Sequence, residues 1–245
     1  CPIVDINTEV EKILEIYATG EDKDGIIITE DFCYVGFLTA DALLRIVNEK
    51  NMTMARDQNP LTKLPGNNSV VDYLTKGLDH PESDWAFVYF DFNDFKPFND
   101  SYGFRQGDRA ITLFADILQA ESMTLPGFLG HVGGDDFFAG FKDLPQDDVQ
   151  RFVKHVLEKF KADAEGLYLP EHRTAGKLEA KDRHGQMRSF GLLSCAAAIV
   201  HLTRGAHRIE PDQLFDVIAK GKKAAKQMET AISLDIVDRS AEEDR

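Results

Sequence analysis

The chain has 245 residues, of which 43% are hydrophobic, and a formal net charge of −14. That length holds one large domain or one domain with a small module, and the apolar fraction excludes wholesale disorder. The acidic balance argues against a nucleic-acid surface or a basic membrane-binding face, but a nucleotide is still admissible where metal ions and a few lysines supply positive charge.

Residues 1–50 read as a unit of their own. Cys1-Pro-Ile-Val4 is a short apolar start, and Thr8 can cap a helix with Val10, Ile13, Leu14 and Tyr17 at helical spacing. Gly25 to Ile28 and Tyr34 to Leu38 flank a polar turn, which predicts a hairpin. Thr39 can cap a second helix with Leu43, Leu44 and Val47, and this helix is expected to run on toward Arg56. The order is β-α-β-β-α. Residues 51–66 are expected as a connector, and 67–240 as the main domain.

The main domain reads α-β-α-β-β-α-β-α-β. Helix is expected at 67–78, strand at 85–91, helix at 106–120, hairpin strands at 127–132 and 137–142, then a strongly periodic helix from Val149 to Phe160. Residues 165–188 are polar, with Asp182-Arg-His-Gly185 as a turn signal, and read as a hairpin insertion. A strand at 190–202 and a helix at 211–228 follow. This pattern predicts an α+β fold, a ferredoxin-like, palm-type mixed sheet with helices on one face.

No stretch approaches the roughly 20 apolar residues of a membrane span, and no signal peptide is evident. Cys1, Cys33 and Cys195 form neither a CxxC pair nor a zinc spacing, so a reducing cytoplasm is the expected location. The chain opens at Cys1 without an initiator Met, as a fragment of a longer protein would.

Two segments carry chemistry. His131-Val-Gly-Gly-Asp-Asp-Phe-Phe138 sits between apolar flanks and reads as a hairpin with Gly-Gly at its tip. Two carboxylates there repel each other, which a cation relieves; a solvated acidic turn is the plainer alternative. Trp85 to Phe90 is a continuous apolar run, as in a strand buried on both faces, and Asp91 ends it. Asp91 is either a helix N-cap or, with Asp135 from the hairpin, part of an oxygen-ligand site suited to Mg²⁺.

At these residues the chain resembles the GGDEF-domain diguanylate cyclases. The matching motifs are Asp57-Gln-Asn-Pro-Leu-Thr-Lys-Leu-Pro-Gly-Asn67, Asp91 through Asp108, Gly133 to Phe137, and Ala225-Lys226, in order over about 57 to 237. The resemblance implies condensation of two GTP into cyclic di-GMP with release of two pyrophosphates, in a homodimeric site that needs Mg²⁺ (or Mn²⁺). It implies Asp91, the Phe92 carbonyl and Asp135 as metal ligands, with Asp135 and Asp136 as catalytic acids. Lys96, Lys226 and the backbone near Gly134, Asp94 and Phe95 would hold phosphates, and Asn99 and Asp108 would read guanine. Alternatives for the last two are a turn asparagine and a helix N-cap.

Residues 1–50 resemble one CBS motif more loosely, which implies an adenosine nucleotide ligand. The pair of modules resembles the tail of proteins that begin with an EAL-type phosphodiesterase domain. A catalytically weak or inactive GTP-binding regulatory domain is therefore the second reading.

Several positions depart from the family pattern. Asp136 stands where Glu is usual, Asn93 where a second Asp is common, and His131 where Arg is frequent. Met228-Glu-Thr-Ala follows the late lysine, without the usual Arg or Lys, which removes a phosphate contact. Thr124-Leu-Pro-Gly127 stands where the family's product-inhibition motif would be, so no feedback inhibition through that site is expected.

Overall fold

A computed structural model describes residues 1–8, 10–19, 24–181, 186–205 and 207–240. The turn expected at 182–185 lies outside them. The chain divides into two compact units, Cys1–Arg56 and Asp57–Arg245.

The first unit runs β1 (Ile3–Asp5), α1 (Val10–Thr19), β2 (Gly25–Glu30), β3 (Cys33–Thr39) and α2 (Ala40–Asp57), with sheet order β1-β2-β3. Asp31 and Phe32 both take positive φ, as a two-residue hairpin turn requires. The Thr39 hydroxyl accepts from the Ala42 N–H at 3.2 Å and caps α2. Val4, Ile13, Ile26 and Leu43 form a small core. No break separates the expected connector from α2.

The second unit opens with α3 (Asn67–Asp79) and β4 (Trp85–Asn93). Then come α4 (Phe95–Tyr102), α5 (Phe104–Ser122), the hairpin β5 (Gly127–Gly133) and β6 (Asp136–Lys142), and α6 (Gln146–Ala164). A 3₁₀ turn (Glu165–Leu167), the short α7 (Pro170–Ala175), and strands β7 (Lys177–Lys181) and β8 (Met187–Gly191) follow. The last elements are β9 (Ser194–Leu202), α8 (Pro211–Ala225) and β10 (Ile232–Val237). The main sheet has the order β10-β9-β4-β6-β5, with β10 parallel to β9 and the other pairs antiparallel.

Helices cover both faces of this sheet, which corrects the expectation of helices on one face. Ala86, Val88, Phe90 and Phe92 pack with residues of α5 and α6, including Phe114 and Phe160. Trp85 and Phe87 pack with Val70 and Leu74 of α3 and with Leu214 and Ile218 of α8. The cause is in β4 itself. Successive side chains of a strand point to opposite faces, so an unbroken apolar run needs cover on both.

Other differences have local causes. Residues 95–102 form a helix that sequence patterning missed, because Pro97 reads as a breaker. It sits in the first turn, where an N–H has no intrahelical partner to lose. Gly103, at φ 81°, separates α4 from α5. The long strand expected at 190–202 is two strands. The chain turns between them where the Leu193 N–H donates to the Tyr168 hydroxyl at 2.8 Å. α8 starts on a capping box of Glu210 and Gln213 with Pro211 in the first turn.

Candidate active site

The site begins with strand register. Asp91, near the end of β4, lies directly opposite Asp136 at the start of β6. Asp91 falls on the face of Trp85 and Phe87, the face that α8 covers. Lys222 and Lys226 are one helical turn apart on the α8 segment and meet these carboxylates. The Lys226 ammonium donates to Asp91 Oδ1 at 2.6 Å. Lys222 Nζ stands 3.6 Å from Asp91 Oδ2 and also pairs with Asp136. Burial works against the Lys222 charge, but Asp136 and Asp91 outweigh it and raise the pKa.

Asp135 occupies the turn between β5 and β6, after Gly134 at φ 57°. Only this acid is at the hairpin tip; Asp136 already belongs to β6. Burial pushes the Asp135 pKa up, and the neighbouring Asp91 and Asp136 charges push it the same way, against Lys226.

His131 fixes the turn from behind. It is 2% exposed and stacks on Phe137 at 4.2 Å between ring centres. Its Nε2 lies 3.0 Å from the Gly134 carbonyl, and its Nδ1 lies 3.0 Å from the Thr62 hydroxyl. A carbonyl only accepts, so Nε2 carries the proton and Nδ1 accepts from Thr62. Burial lowers the His131 pKa, which keeps the ring neutral. The segment from Asp57 to Asn67 thus braces the hairpin. Asp57 caps α3 as well, accepting from the Asn68 and Ser69 N–H groups at 3.1 and 2.9 Å.

The second wall is α4. Asp94 is its N-cap residue, in the left-handed region at φ 60°. Asp91 is therefore no N-cap. Burial raises the Asp94 pKa, against the Gly191 N–H that donates to its carboxylate. Lys96 is exposed on the first turn. Asn99 Oδ1 is buried without a hydrogen-bond partner, and a Cβ at Gly107 would overlap it. An orphaned buried acceptor beside a cleft is an invitation to a ligand donor.

The two walls enclose a cleft of about 900 Å³. Asp91, Phe92, Asp94, Phe95, Lys96, Asn99, Asp135, Asp136 and Lys226 all line it. Gly134 and Asp108 do not. Asp108 is exposed in the body of α5, so it is no N-cap either.

Among the described residues, no three or more His, Cys, Asp or Glu side chains are grouped to hold a metal ion. The expected ligand set has two carboxylates and one backbone carbonyl, and this donor chemistry fits a hard divalent cation. Burial is the main cause of the raised Asp135 pKa; the Asp91 and Asp136 charges add to it, and that smaller part is what a bound cation would relieve.

Sequence reasoning missed Lys222. Its signal is the i, i+4 spacing to Lys226 beside the buried stripe of Leu214, Ile218, Gly221 and Ala225. Arg188, from β8, also lines the cleft and left no signal in the sequence that separates it from other polar residues of the insertion.

The family model described as "Diguanylate cyclase, GGDEF domain" matches residues 55–177, half of the chain. Cyclic di-GMP phosphodiesterase PdeR of Escherichia coli (strain K12) is 24% identical over 116 residues, 46% of this chain and 17% of that protein. The chain thus spans far less than two thirds of this relative. Diguanylate cyclase SiaD of Pseudomonas aeruginosa, solved with its activator SiaC, superposes with a TM-score of 0.55 at 18% identity, over 81% of this chain and 68% of that one. The coiled coil and GGDEF domain of DgcB from Caulobacter crescentus, solved with c-di-GMP, gives 0.53 at 16% identity, over 80% and 95%. The FimX GGDEF domain from Pseudomonas aeruginosa gives 0.53 at 14% identity, over 74% and 99%. At these identities the likeness is one of fold. No described helix is long and apolar enough to cross a membrane.

Proposed function

The chain belongs to the GGDEF diguanylate cyclase family, and from that membership we propose that it binds GTP with a divalent metal ion and condenses two GTP into cyclic di-GMP. The single observation that carries this reading is the Asp91–Asp136 register, which gathers acids from two segments at the mouth of one cleft with Asp135 beside them. Domains of this family bind GTP and act as dimers.

Asp91, the Phe92 carbonyl and Asp135 are the groups that would hold Mg²⁺ or Mn²⁺. When bound, the ion neutralises phosphate charge. Lys96 and the N–H groups at the start of α4 hold the terminal phosphates. Asn99 accepts from a guanine amino group through its orphaned oxygen, and Asp108 accepts from the same edge, a donor pair that adenine lacks. In each of two equivalent steps, the 3′-oxygen of one GTP bonds to the α-phosphorus of the other. The bond from that phosphorus to the bridging oxygen breaks and pyrophosphate leaves. The hydroxyl proton passes to Asp136.

One observation favours the second reading, a GTP-binding regulatory domain. Lys222 is paired with Asp136, so the carboxylate at the reactive position is already engaged by an ammonium and must leave it to meet an attacking hydroxyl. On that reading occupancy by GTP regulates an EAL-type phosphodiesterase domain elsewhere in a longer protein. The β-α-β-β-α order of the first unit supports its reading as a CBS-like motif for an adenosine nucleotide; ATP raising the melting temperature of residues 1–56 would test it.

The deciding experiment is formation of cyclic di-GMP from GTP and Mg²⁺, run beside a calorimetric GTP titration. Product supports the cyclase. Binding without product supports the regulatory domain, and absence of both refutes the two together.

A further inference from the structure

Helix α5 turns one face to the core. Gly107, Ile111, Phe114 and Leu118 follow one another on it at helical spacing, and all four are buried. Phe104 is the next position of that stripe toward the N-terminus, one turn before Gly107. It is 79% exposed. The apolar stripe thus runs out of the core at Phe104, and there the side chain lines the cleft with Lys96, Asn99 and Asp135.

The same face of α5 meets Asn99. Gly103 ends α4 by donating its N–H to the Asn99 carbonyl at 2.8 Å, and α5 starts at the following residue. Gly107 lies so close to the Asn99 side chain that a Cβ there would stand 1.9 Å from Oδ1. That oxygen is buried and has no hydrogen-bond partner. One part of the cleft therefore sets an uncovered apolar ring beside an unmatched acceptor.

A single ligand chemistry satisfies both. A flat heteroaromatic ring that carries an amino group can donate at its edge to Asn99 and lay its face on Phe104. An aromatic ring left in water is unfavourable in proportion to its area, and a stacked base removes that area from water. A phosphate cannot do so, because it is a hydrated anion without apolar surface. Stacking accepts any base, since every base has a π-face, whereas edge hydrogen bonds discriminate between bases.

We infer that Phe104 is the platform on which the nucleobase of the bound nucleotide stacks, supplying affinity where Asn99 supplies selectivity. This rests on the GTP reading above. The test is calorimetric titration of the full chain, wild type, Phe104→Ala and Phe104→Tyr, with GTP and with inorganic triphosphate in Mg²⁺, with melting temperatures recorded alongside. Phe104→Ala is expected to weaken GTP binding roughly 10-fold and triphosphate binding less than about 2-fold, and Phe104→Tyr to stay within about 2-fold of the wild type for both. In Phe104→Trp, GTP should quench the fluorescence of the added indole and triphosphate should not; the native Trp85 is buried and does not line the cleft. Unchanged GTP affinity in Phe104→Ala overturns the assignment and leaves the nucleotide reading standing. So do equal losses for GTP and triphosphate, with or without a fall in melting temperature, and a loss in Phe104→Tyr as large as in Phe104→Ala. Failure of the wild type to bind GTP overturns the nucleotide reading and this assignment together.

Discussion

The two walls of the cleft are built on different principles. The strand wall is crowded and already paired: Asp91, Asp135 and Asp136 converge where β4 nears its end and β6 begins, and two lysines lie among them. The helix wall is sparse. Lys96 is exposed and Asn99 keeps an unmatched acceptor, while Asp108 stands on the surface of α5, outside the cleft lining. A wall whose charges meet one another is organised by folding. A wall whose polar groups are unmatched is organised by its ligand. Substitutions on the two walls should therefore differ in kind, the first changing stability along with activity and the second changing selectivity alone.

The largest effect is expected on the strand wall. Asp91→Asn should cut Mg²⁺-dependent formation of cyclic di-GMP by roughly 10²–10³-fold and leave the fold intact by circular dichroism. Undiminished turnover would break the metal assignment. On α5, the helix that follows this wall, Asp108→Ala should lower the preference for GTP over ATP about 10-fold, read from competitive titrations. Its melting temperature should stay at the wild-type value, since the side chain is exposed. A fall in stability without a change in preference would erase the contrast between the walls.

Two smaller effects sharpen it. Asp135 has its pKa raised, first by burial and then by Asp91 and Asp136. A carboxyl whose folded pKa lies above its unfolded value contributes stability that is fully present below the unfolded value and lost as pH rises through the folded one. At neutral pH the ionised Asp135 therefore opposes folding. Asp135→Asn should raise the metal-free melting temperature by up to about 3 °C, measured by calorimetry, while Mg²⁺-assisted GTP binding declines.

His131 has the opposite sign. Its pKa is lowered from 6.5 by burial, so its contribution is complete above pH 6.5 and is lost as pH falls through the lower folded value. His201 is also depressed by burial and has the same sign. Melting temperature should thus decline from pH 7.5 to 5, and His131→Gln should flatten part of that decline and leave the His201 share. A slope that His131→Gln does not change would mean the Thr62–His131–Gly134 brace is absent in solution.

Much of the strand wall was legible in the chain. The apolar run ending at Asp91 and the Gly-Gly-Asp-Asp turn are contiguous patterns, and strands and tight turns are dictated by near neighbours, whereas Lys226 was singled out among nearby lysines only by the family resemblance. The periodic stripe from Val149 to Phe160 lies in α6, and the described residues of the polar stretch 165–188 fall among the 3₁₀ turn, α7 and the β7–β8 ribbon. The helix wall was less legible. α4 was hidden by Pro97, and the split at Gly103 could not be told from a single helix start near 106.

Sequence by itself determined the central strand, the hairpin beside it and the turn that holds Asp135, because each is carried by residues close together in the chain, and four short motifs in order pointed to the family. Tertiary structure alone decided that Asp91 faces Asp136 rather than Asp135, that Lys222 joins them, and that Arg188 lines the cleft. Those outcomes depend on register between strands and on which face of a helix or ribbon turns inward. Both are fixed only when distant segments pack on both sides of β4.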